Sequence, residues 1–378
     1  MKLVQDVVVV GAGAAGMMCA IEAGKRGRSV LIIDHASKLA EKIRISGGGR
    51  CNFTNLHANP SHFLSANLHF CHSALARYTP QDFVALIEKH GIRYHEKKLG
   101  QLFCDGSAQQ IIDMLHRECE SVGVAWQTPS QVMQVDNKAG AYGEKKMQRF
   151  VIKTDRNTIE TNALVIATGG LSIPQIGASA FGYQIAKQFK IHVTTLRPAL
   201  VGLTFAPDDF SNFKPISGVS VIAEVSCNGA SFSENVLFTH RGLSGPAILQ
   251  ISSYWQPGKC IHINLLPQQD AQDIFLTHKR SNVLLPNLLA RFLPKRFVQV
   301  WCKTVFKQSF NAEKPLNQYR ESELSQVVEK LHDWKIFPSG TVGYKKAEVT
   351  LGGVDTHELS SKTMESRRIP GLYFVGEV

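Results

Sequence analysis

The sequence has no closely spaced pair of cysteines. Its eight cysteines are scattered through 378 residues, and no two of them form a Cys-x-x-Cys pair. This spacing argues against a zinc site, an iron–sulfur cluster and a disulfide framework. We therefore expect no metal and a reducing, cytoplasmic environment.

Long apolar runs and signal-type segments are also missing. No stretch is long and apolar enough to span a bilayer, and no repeat or low-complexity tract is visible. Residues 7–21 are uncharged, but the early Asp6, the glycine pattern and the lack of a small-residue cleavage site argue against a signal peptide. With 44% hydrophobic and 19% charged residues, the composition predicts an enzyme of two or three domains with no membrane partner.

Acidic residues are too few to balance the basic ones. The chain has 42 Lys+Arg against 31 Asp+Glu, a net charge of +11. Residues 279–307 contain no acidic residue at all, and the basic residues there are Lys279, Arg280, Arg291, Lys295, Arg296, Lys303 and Lys307. If residues 295–307 form one helix, Arg296, Lys303 and Lys307 share a face opposite an apolar one.

Such a basic face allows two interpretations. It suits a phosphate backbone, or it is a solvated helix flank whose aromatic neighbours belong to the core. The phosphates of one dinucleotide need only one or two cations, so the overall excess favours a polyanionic partner. We assign Lys279, Arg280, Arg296, Lys303 and Lys307 to that surface.

A dinucleotide-binding motif opens the chain. In Asp6-Val-Val-Val-Val-Gly-Ala-Gly-Ala-Ala-Gly16, the glycines follow a predicted strand and begin a predicted helix. Gly11 permits a tight turn, Gly13 lets a pyrophosphate approach the backbone, and Gly16 lets helix and strand pack closely. The second predicted strand ends at Asp34, whose carboxylate can accept the hydroxyls of an adenosine ribose.

Three later motifs add to this prediction, and the last of them is Gly371-Leu-Tyr-Phe-Val-Gly-Glu377, the second part of a flavin-binding signature. In Lys42-Ile-Arg-Ile-Ser-Gly-Gly-Gly-Arg-Cys-Asn-Phe-Thr-Asn55, three glycines and an arginine suit a bound phosphate or flavin, and the alternative is a surface turn. Ala163-Leu-Val-Ile-Ala-Thr-Gly-Gly170 predicts a buried strand that ends against the cofactor, or else a simple strand exit. The candidate cofactor-binding residues are Gly11, Gly13, Ala14, Ala15, Gly16, Asp34, His35, Lys42, Ser46, Gly47, Gly48, Gly49, Arg50, Cys51, Asn52, Thr168, Gly169, Gly170, Gly376 and Glu377.

The pattern of elements predicts four segments. Residues 1–195 form the first part of the dinucleotide-binding domain, 196–268 an inserted β-rich domain, 269–340 a basic helical subdomain and 341–378 the rest of the first domain. Residues 136–146 read as a hairpin tip. A helix begins near Pro246 with Ser244 as its N-cap, after a loop with His240.

These motifs, in this order, resemble the BaiN/RdsA family of NAD(P)/FAD-dependent oxidoreductases. The resemblance covers residues 5–378 and includes Phe238-Thr-His-Arg-Gly-Leu-Ser-Gly-Pro246, Val349-Thr-Leu-Gly-Gly-Val-Asp355 and Gly371-Leu-Tyr-Phe-Val-Gly-Glu377. It implies an α/β fold with a Rossmann-like FAD-binding domain of the two-dinucleotide-binding-domain flavoprotein type, an inserted β-barrel-like domain and a helical subdomain. The ribosomal RNA branch is the most similar, in Leu99-Gly-Gln-Leu-Phe-Cys-Asp105 and Ile251-Ser-Ser-Tyr-Trp-Gln-Pro257.

What the resemblance implies is an FAD-dependent reduction of uridine to dihydrouridine in 23S ribosomal RNA. The candidate proton donors are Cys104, His240, Lys346 and Glu348, and Cys51 is a fifth candidate. No second GxGxxG motif exists, so NAD(P)H is expected as a transient reductant. Oxidation of a small amine, or reduction of an unsaturated small molecule, is the alternative chemistry.

The family pattern continues past Gly-Glu-Val with an Asp, a Gly-Gly-Tyr-Asn turn and a final helix. This sequence ends at Val378, so it is expected to be C-terminally truncated, or else to bind FAD weakly. A third alternative is therefore a non-catalytic, RNA-binding fragment.

Overall fold

The structure is a computed structural model that describes residues 2–138, 150–307, 309 and 311–378. The chain divides into two compact units, unit 1 (Met1–Leu196 and Gly352–Val378) and unit 2 (Arg197–Leu351). Most of the hairpin tip predicted at residues 136–146 lies outside the described residues.

Most of the strands are short, and the longest of them have nine residues. In chain order they are Lys2–Val10 (β1), Val30–Ile33 (β2), Asn52–Asn55 (β3), Tyr94–Glu96 (β4), Gln101–Cys104 (β5), Ala125–Gln127 (β6), Val132–Asn137 (β7), Phe150–Thr154 (β8), Thr158–Ile166 (β9), Arg197–Ala199 (β10), Leu203–Thr204 (β11), Ser220–Cys227 (β12), Ala230–Phe238 (β13), Gly242–Ser244 (β14), Ile261–Asn264 (β15), Trp334–Ile336 (β16), Gly340–Thr341 (β17), Val349–Leu351 (β18) and Leu372–Phe374 (β19).

The α-helices have between 5 and 13 residues. They are Ala14–Lys25 (α1), Glu41–Ile45 (α2), His72–Arg77 (α3), Pro80–Lys89 (α4), Gln109–Ser121 (α5), Phe181–Gln188 (α6), Pro207–Phe213 (α7), Pro246–Ile251 (α8), Ala271–His278 (α9), Leu285–Leu289 (α10), Lys295–Val305 (α11) and Glu321–His332 (α12).

Unit 1 is built on one mixed sheet with the strand order β6-β2-β1-β9-β8-β7. The pairs of β1 with β2, β1 with β9 and β2 with β6 are parallel, whereas β8 pairs antiparallel with both β9 and β7. The last strand, β19, runs parallel to the second half of β9, from Leu164 to Ile166. The two ends of the sequence therefore meet in one sheet, as a Rossmann-like domain interrupted by an insertion requires.

The apolar residues of this sheet are buried on both faces. Val9 and Ile32 belong to one core cluster with α1 and α5, and Val8 and Ile33 belong to another with α6. Burial of alternate residues in two separate cores explains why these strands are continuous runs of β-branched and aliphatic residues. The strands of unit 1 outside the main sheet form a small antiparallel sheet with the order β3-β5-β4.

Unit 2 is centred on an antiparallel sheet with the order β16-β15-β12-β13-β14-β11-β17. One hydrophobic core joins this sheet to α8, α9, α10, α11 and α12. The β-rich stretch predicted at 196–268 and the helical stretch predicted at 269–340 thus share a single core. The chain returns to unit 1 at Gly352, because β18 still pairs with β10 in unit 2.

Two local predictions need correction. Gly245 is the N-cap residue of α8, while Ser244 ends β14 and pairs with Leu237. Helix α11 ends at Val305, so Lys307 lies beyond the helix that was predicted to carry it. Within the described residues, no helix combines the length and apolar composition needed to cross a membrane.

Candidate cofactor site

A cavity of about 800 Å³ opens in unit 1 where β1, β2 and β9 end. Its lining includes Gly11 after β1, Asp34 after β2 and Thr168 after β9. The carboxyl ends of parallel strands lie at the same edge of a sheet, which is where α/β folds bind ligands. Thr168 is more than a hundred positions from both Gly11 and Asp34 along the chain, and the sheet brings the three residues together.

Two glycines of the first motif allow the backbone to turn tightly beneath this cavity. Gly11 has φ +113°, and a Cβ there would lie 2.4 Å from the carbonyl oxygen of Ala167. A Cβ at Gly16 would lie 1.9 Å from the carbonyl oxygen of Gly11. Both positions therefore need glycine for the fold itself, whether or not a ligand is bound.

Gly13 has a different role. It is the N-cap of α1, has φ −83°, and a Cβ built on it would meet no atom of the described residues within 4 Å. The fold does not require glycine here, yet Gly13 and the first residues of a 12-residue helix border the cavity. The N–H groups at a helix N-terminus bind phosphate, so this open position suits a pyrophosphate against the backbone.

Asp34 fixes the turn beside that helix. Its Oδ2 accepts a hydrogen bond from the N–H of Ala12 at 2.6 Å, and its Oδ1 accepts one from the N–H of Ala36 at 2.8 Å. Its neighbour His35 also lines the cavity. A carboxylate oxygen can accept more than one hydrogen bond, so Asp34 retains capacity for a ribose hydroxyl.

Lys42, Ser172 and Glu377 form a polar cluster on the cavity wall. The ammonium of Lys42 donates to Ser172 Oγ at 2.8 Å and also pairs with Glu377. Ser172 Oγ donates in turn to Glu377 Oε1 at 2.9 Å. This cluster links the helix after β2, the loop after β9 and the residues after β19, so it holds the wall together at the point where the end of the chain returns.

The three consecutive glycines form a tight turn. Gly47, Gly48 and Gly49 have φ values of +58°, +69° and +86°. The turn is held by the N–H of Cys51, which donates to the carbonyl of Ser46 at 3.0 Å. A run of left-handed conformations explains why three glycines occur together. Ser46, Cys51 and Asn52 line the cavity on either side of them.

Thr168 provides a test of whether the cavity fits a ligand. Its Oγ1 is buried and has no hydrogen-bond partner among the described residues. A buried hydroxyl without a partner costs free energy, and Thr168 lines the cavity. Together with the open backbone at Gly13 and the acidic Asp34, this arrangement fits FAD, both its adenosine diphosphate part and its flavin ring.

We expect Thr168→Val to weaken flavin binding about tenfold, because valine cannot form the hydrogen bond that a cofactor would supply. The apoprotein should lose no stability, since the hydroxyl has no hydrogen-bond partner to lose among the described residues. Flavin titration followed by fluorescence measures the first effect, and thermal unfolding of the flavin-free protein measures the second. Equal affinities in both proteins would mean that the hydroxyl does not face the flavin.

Most of the predicted cofactor residues line this cavity. They are Gly11, Gly13, Ala14, Ala15, Asp34, His35, Lys42, Ser46, Cys51, Asn52, Thr168, Gly169, Gly170, Gly376 and Glu377. Gly16, Gly47, Gly48, Gly49 and Arg50 are not among its lining residues, and they shape or flank the adjacent turns. Their contact with a cofactor stays a prediction.

The candidate proton donors are divided between the two units. Cys51 lines the cavity, and Cys104 in β5 is fully buried without lining it. Burial raises the pKa of Cys51, and it raises the pKa of Cys104 to about 11, so both thiols keep their protons at neutral pH. His240, Lys346 and Glu348 are exposed residues of unit 2. A catalytic role for any of them stays a prediction.

The sequence motifs missed a group of apolar and hydroxyl residues in the wall. They include Met18, Phe53, Phe83, Ile111, Leu115, Ser130, Ser172, Ile176 and Phe181. They come from α1, β3, α4, α5, α6 and the loops between, and the helical ones lie in ordinary amphipathic patterns. Periodicity assigns such residues to the core, and only the tertiary structure distinguishes a core residue from a cavity wall.

Comparisons with known proteins agree with this geometry. The family described as "HI0933-like protein Rossmann domain" matches residues 5–378. A protein of Escherichia coli (strain K12) named ribosomal RNA dihydrouridine synthase is 50% identical over 377 residues, which are 99% of this chain and 91% of that protein. One of the same name from Haemophilus influenzae is 44% identical over 100% of this chain and 93% of its own length.

A solved structure of similar fold is the 3-ketosteroid-Δ4-(5α)-dehydrogenase from Rhodococcus jostii RHA1. It has a TM-score of 0.50 at 14% identity, and the match covers 99% of this chain and 90% of that chain. At this level of identity the similarity is one of fold alone.

Proposed function

The chain belongs to the HI0933-like family, and from this premise we propose that it reduces uridine to dihydrouridine in 23S ribosomal RNA. The family and the cavity make it an FAD-dependent oxidoreductase. The observation that carries the choice of substrate is the similarity, along nearly the whole chain, to two proteins named ribosomal RNA dihydrouridine synthase. Such an enzyme works beside ribosomal RNA, which is consistent with a cytoplasmic location.

The residues of unit 1 hold the cofactor. FAD, when bound and reduced, supplies a hydride. The N-terminus of α1 at Gly13 would bind the pyrophosphate, and Asp34 would bind the adenosine ribose. Thr168, Ser46, Cys51 and Asn52 also line the cavity. Because no second dinucleotide motif exists in the sequence, NAD(P)H as the source of electrons would bind only transiently.

The product requires a proton at C5 of uracil as well as a hydride at C6. A target base must leave its stack before a protein group can reach it. A thiol that stays protonated at neutral pH can supply the proton, and Cys51 is the candidate in the cavity wall. Cys104, His240, Lys346 and Glu348 are the other candidates, and single alanine variants in one turnover assay distinguish among the five.

The basic segment of unit 2 supports an RNA substrate. Helix α11 buries Phe297, Val298, Trp301 and Cys302, while Arg296 and Lys303 on the same helix are exposed. The aromatic residues are therefore core residues, and the basic residues form a separate solvent-facing surface. Arg280 and Lys307 are exposed too.

Two acidic residues from later in the chain reach this surface. Lys279 pairs with Glu321 at 2.6 Å, and Lys303 pairs with Glu313 at 3.2 Å. Residues 279–307 contain no acidic residue, but these two carboxylates from later in the chain neutralise part of their positive charge. The two carboxylates are 85% and 59% exposed, and exposed ion pairs contribute little free energy, so an RNA phosphate can replace either of them.

The direct experiment measures nucleosides. Purified protein, FAD, NAD(P)H and 23S ribosomal RNA lacking the modification are incubated, and the digested RNA is examined by mass spectrometry. The expected result is a uridine that gains two hydrogens at one site. A protein that consumes NAD(P)H and reduces small enones or amines, but leaves the RNA unchanged, would contradict the proposed substrate.

We expect the combined change Arg296→Gln, Lys303→Gln and Lys307→Gln to weaken RNA binding. Each lost phosphate contact should reduce the slope of log K against log salt by about 0.7, so the slope should fall by about 2. Flavin content and NAD(P)H oxidation should not change. Filter binding or anisotropy at several salt concentrations measures the effect.

The matched control removes the same charge elsewhere. Lys25→Gln, Arg26→Gln and Arg28→Gln lie at and just after the end of α1 in unit 1, where Glu22 pairs with the first two side chains. If this control lowers RNA affinity and its salt slope as much as the first triple variant, the effect is one of net charge, and the segment around α11 has no special role.

A further inference from the structure

A cysteine, a histidine and an aspartate come together at one side of the sheet of unit 2. Cys260 directly precedes β15, His262 lies within it, and Asp333 directly precedes the neighbouring strand β16. The antiparallel pairing places Ile263 opposite Trp334. His262 and Asp333 are 71 positions apart along the chain, and this pairing brings them into one row with Cys260.

The distances follow the order nucleophile, base, carboxylate. Cys260 Sγ lies 3.3 Å from His262 Nε2, and His262 Nδ1 lies 2.5 Å from Asp333 Oδ1. Because a carboxylate can only accept, Nδ1 carries the proton and donates it to Asp333. In this tautomer Nε2 has a lone pair directed at the thiol, so it can accept the proton of Cys260.

Asp333 is kept in its charged form. Partial burial raises its pKa, but hydrogen bonds from His262 and Lys335 outweigh this effect and hold the pKa below its ordinary value. The Lys335 ammonium lies 3.3 Å from the second carboxylate oxygen. A charged Asp333 both orients the imidazole and stabilises the imidazolium that forms when the thiol loses its proton.

We propose that Cys260 is an activated thiol and a site of covalent modification by hydroperoxides and other small electrophiles. Cys260 is half-buried, and the His262 and Asp333 side chains are 39% and 37% exposed, so a small reagent can reach the row. Within the described residues no group of three or more His, Cys, Asp or Glu has an arrangement that could hold a metal ion.

In the reaction with a hydroperoxide, the thiol is oxidised and the peroxide is reduced. The Cys260 sulfur, after its proton moves to His262 Nε2, attacks one peroxide oxygen. The O–O bond breaks, and the sulfur becomes a sulfenic acid. The leaving oxygen takes the proton back from His262 and departs as water or an alcohol.

A second cysteine beside Cys260 provides an internal comparison. Cys227 is 4% exposed, and its thiol donates to the carbonyl of Cys260 at 3.4 Å. Burial, and then the nearby Cys260, raise the pKa of Cys227. Cys227 should therefore stay protonated and unreactive at neutral pH, although it lies next to the reactive thiol.

The test uses the full chain and two reagents. With iodoacetamide in limiting amounts, peptide mass spectrometry should show alkylation of Cys260 about tenfold faster than that of Cys71, a half-buried cysteine of unit 1. With dilute hydrogen peroxide, a reagent that traps sulfenic acids should label Cys260 first. His262→Ala should lower both rates about tenfold and leave the Cys71 rate unchanged.

His262→Ala removes the imidazole side chain from a residue of a paired strand and can disturb the sheet. Asp333→Asn keeps the size of the side chain and should lower the Cys260 rate in the same direction. His192→Ala is the matched control, since His192 Nδ1 also binds a carboxylate, Asp355, at 3.0 Å, but in unit 1. If Cys260 of the unmodified protein reacts no faster than Cys71, or if both row variants leave its rate unchanged, Cys260 is an ordinary thiol.

Discussion

Gly13→Val is expected to abolish flavin binding while leaving the apoprotein folded. A Cβ at Gly13 would meet no atom of the described part of the chain within 4 Å, and its φ of −83° is allowed for any residue, so the free protein has room for the larger side chain. The same space is where the cofactor must approach the backbone. We expect a loss of at least about 100-fold in affinity, or roughly 3 kcal/mol. The absorbance of the purified protein in the visible flavin bands would show it.

Two other glycine-to-valine variants are the controls for this result. Gly16→Val should unfold unit 1, because its Cβ would lie 1.9 Å from a backbone oxygen. Gly340→Val in unit 2 should stay yellow, since its Cβ would have only an ordinary contact of 3.5 Å with Thr204. A yellow Gly13→Val protein would show that the pyrophosphate does not bind at the start of α1.

Trp301→Ala should destabilise unit 2 by about 3–5 kcal/mol, the usual cost of removing a large aromatic residue from a core. Trp301 is 0% exposed and lies at the centre of a ring cluster. Its ring centroid is 5.3 Å from that of Phe306, 6.3 Å from that of Phe297 and 6.3 Å from that of Trp334. Because this residue anchors α11, the loss should also displace the basic surface. Urea unfolding of the purified protein measures the free energy change.

A conservative change separates the contribution of packing from that of the indole N–H. Trp301 Nε1 is buried without a hydrogen-bond partner among the described residues. Trp301→Phe removes this polar atom together with some volume, so the two effects oppose each other and the net change should be below about 1.5 kcal/mol. Phe292→Ala, at a 37% exposed position, should cost within about 0.5 kcal/mol. If Trp301→Ala costs no more than Phe292→Ala, the ring cluster does not hold α11 in place.

Particular residues show how far sequence reasoning reached into the site. Gly11, Gly13 and Asp34 were predicted to lie together. One motif contains the two glycines, and Asp34 follows after one predicted helix and one predicted strand. The structure places all three on the cavity, with Asp34 bound to the N–H of Ala12. The family resemblance stated from the ordered motifs is confirmed by the match over residues 5–378.

The residues that could not be predicted from the sequence were missed for one physical reason: their partners lie far away along the chain. Ser172 is separated from Lys42 by 130 positions and from Glu377 by 205, so no local pattern connects the three. The ion pair of Lys303 with Glu313 was hidden because a count of charges along residues 279–307 does not include a carboxylate that folds back onto the helix. In the same way, the pairing of β15 with β16 creates the row of Cys260, His262 and Asp333.

The class of fold, the cofactor and the family could be inferred from the amino-acid sequence alone. These depend on short motifs whose glycines and valines specify the backbone conformation of a few neighbouring residues, and local conformation is encoded locally. Three other features could be identified only in the folded chain: the polar side chains that share a cavity wall, the cations that are already paired, and the thiol that has a base beside it. Such groups meet through strand pairing and the burial of a common core, and both act between residues that are far apart in the chain.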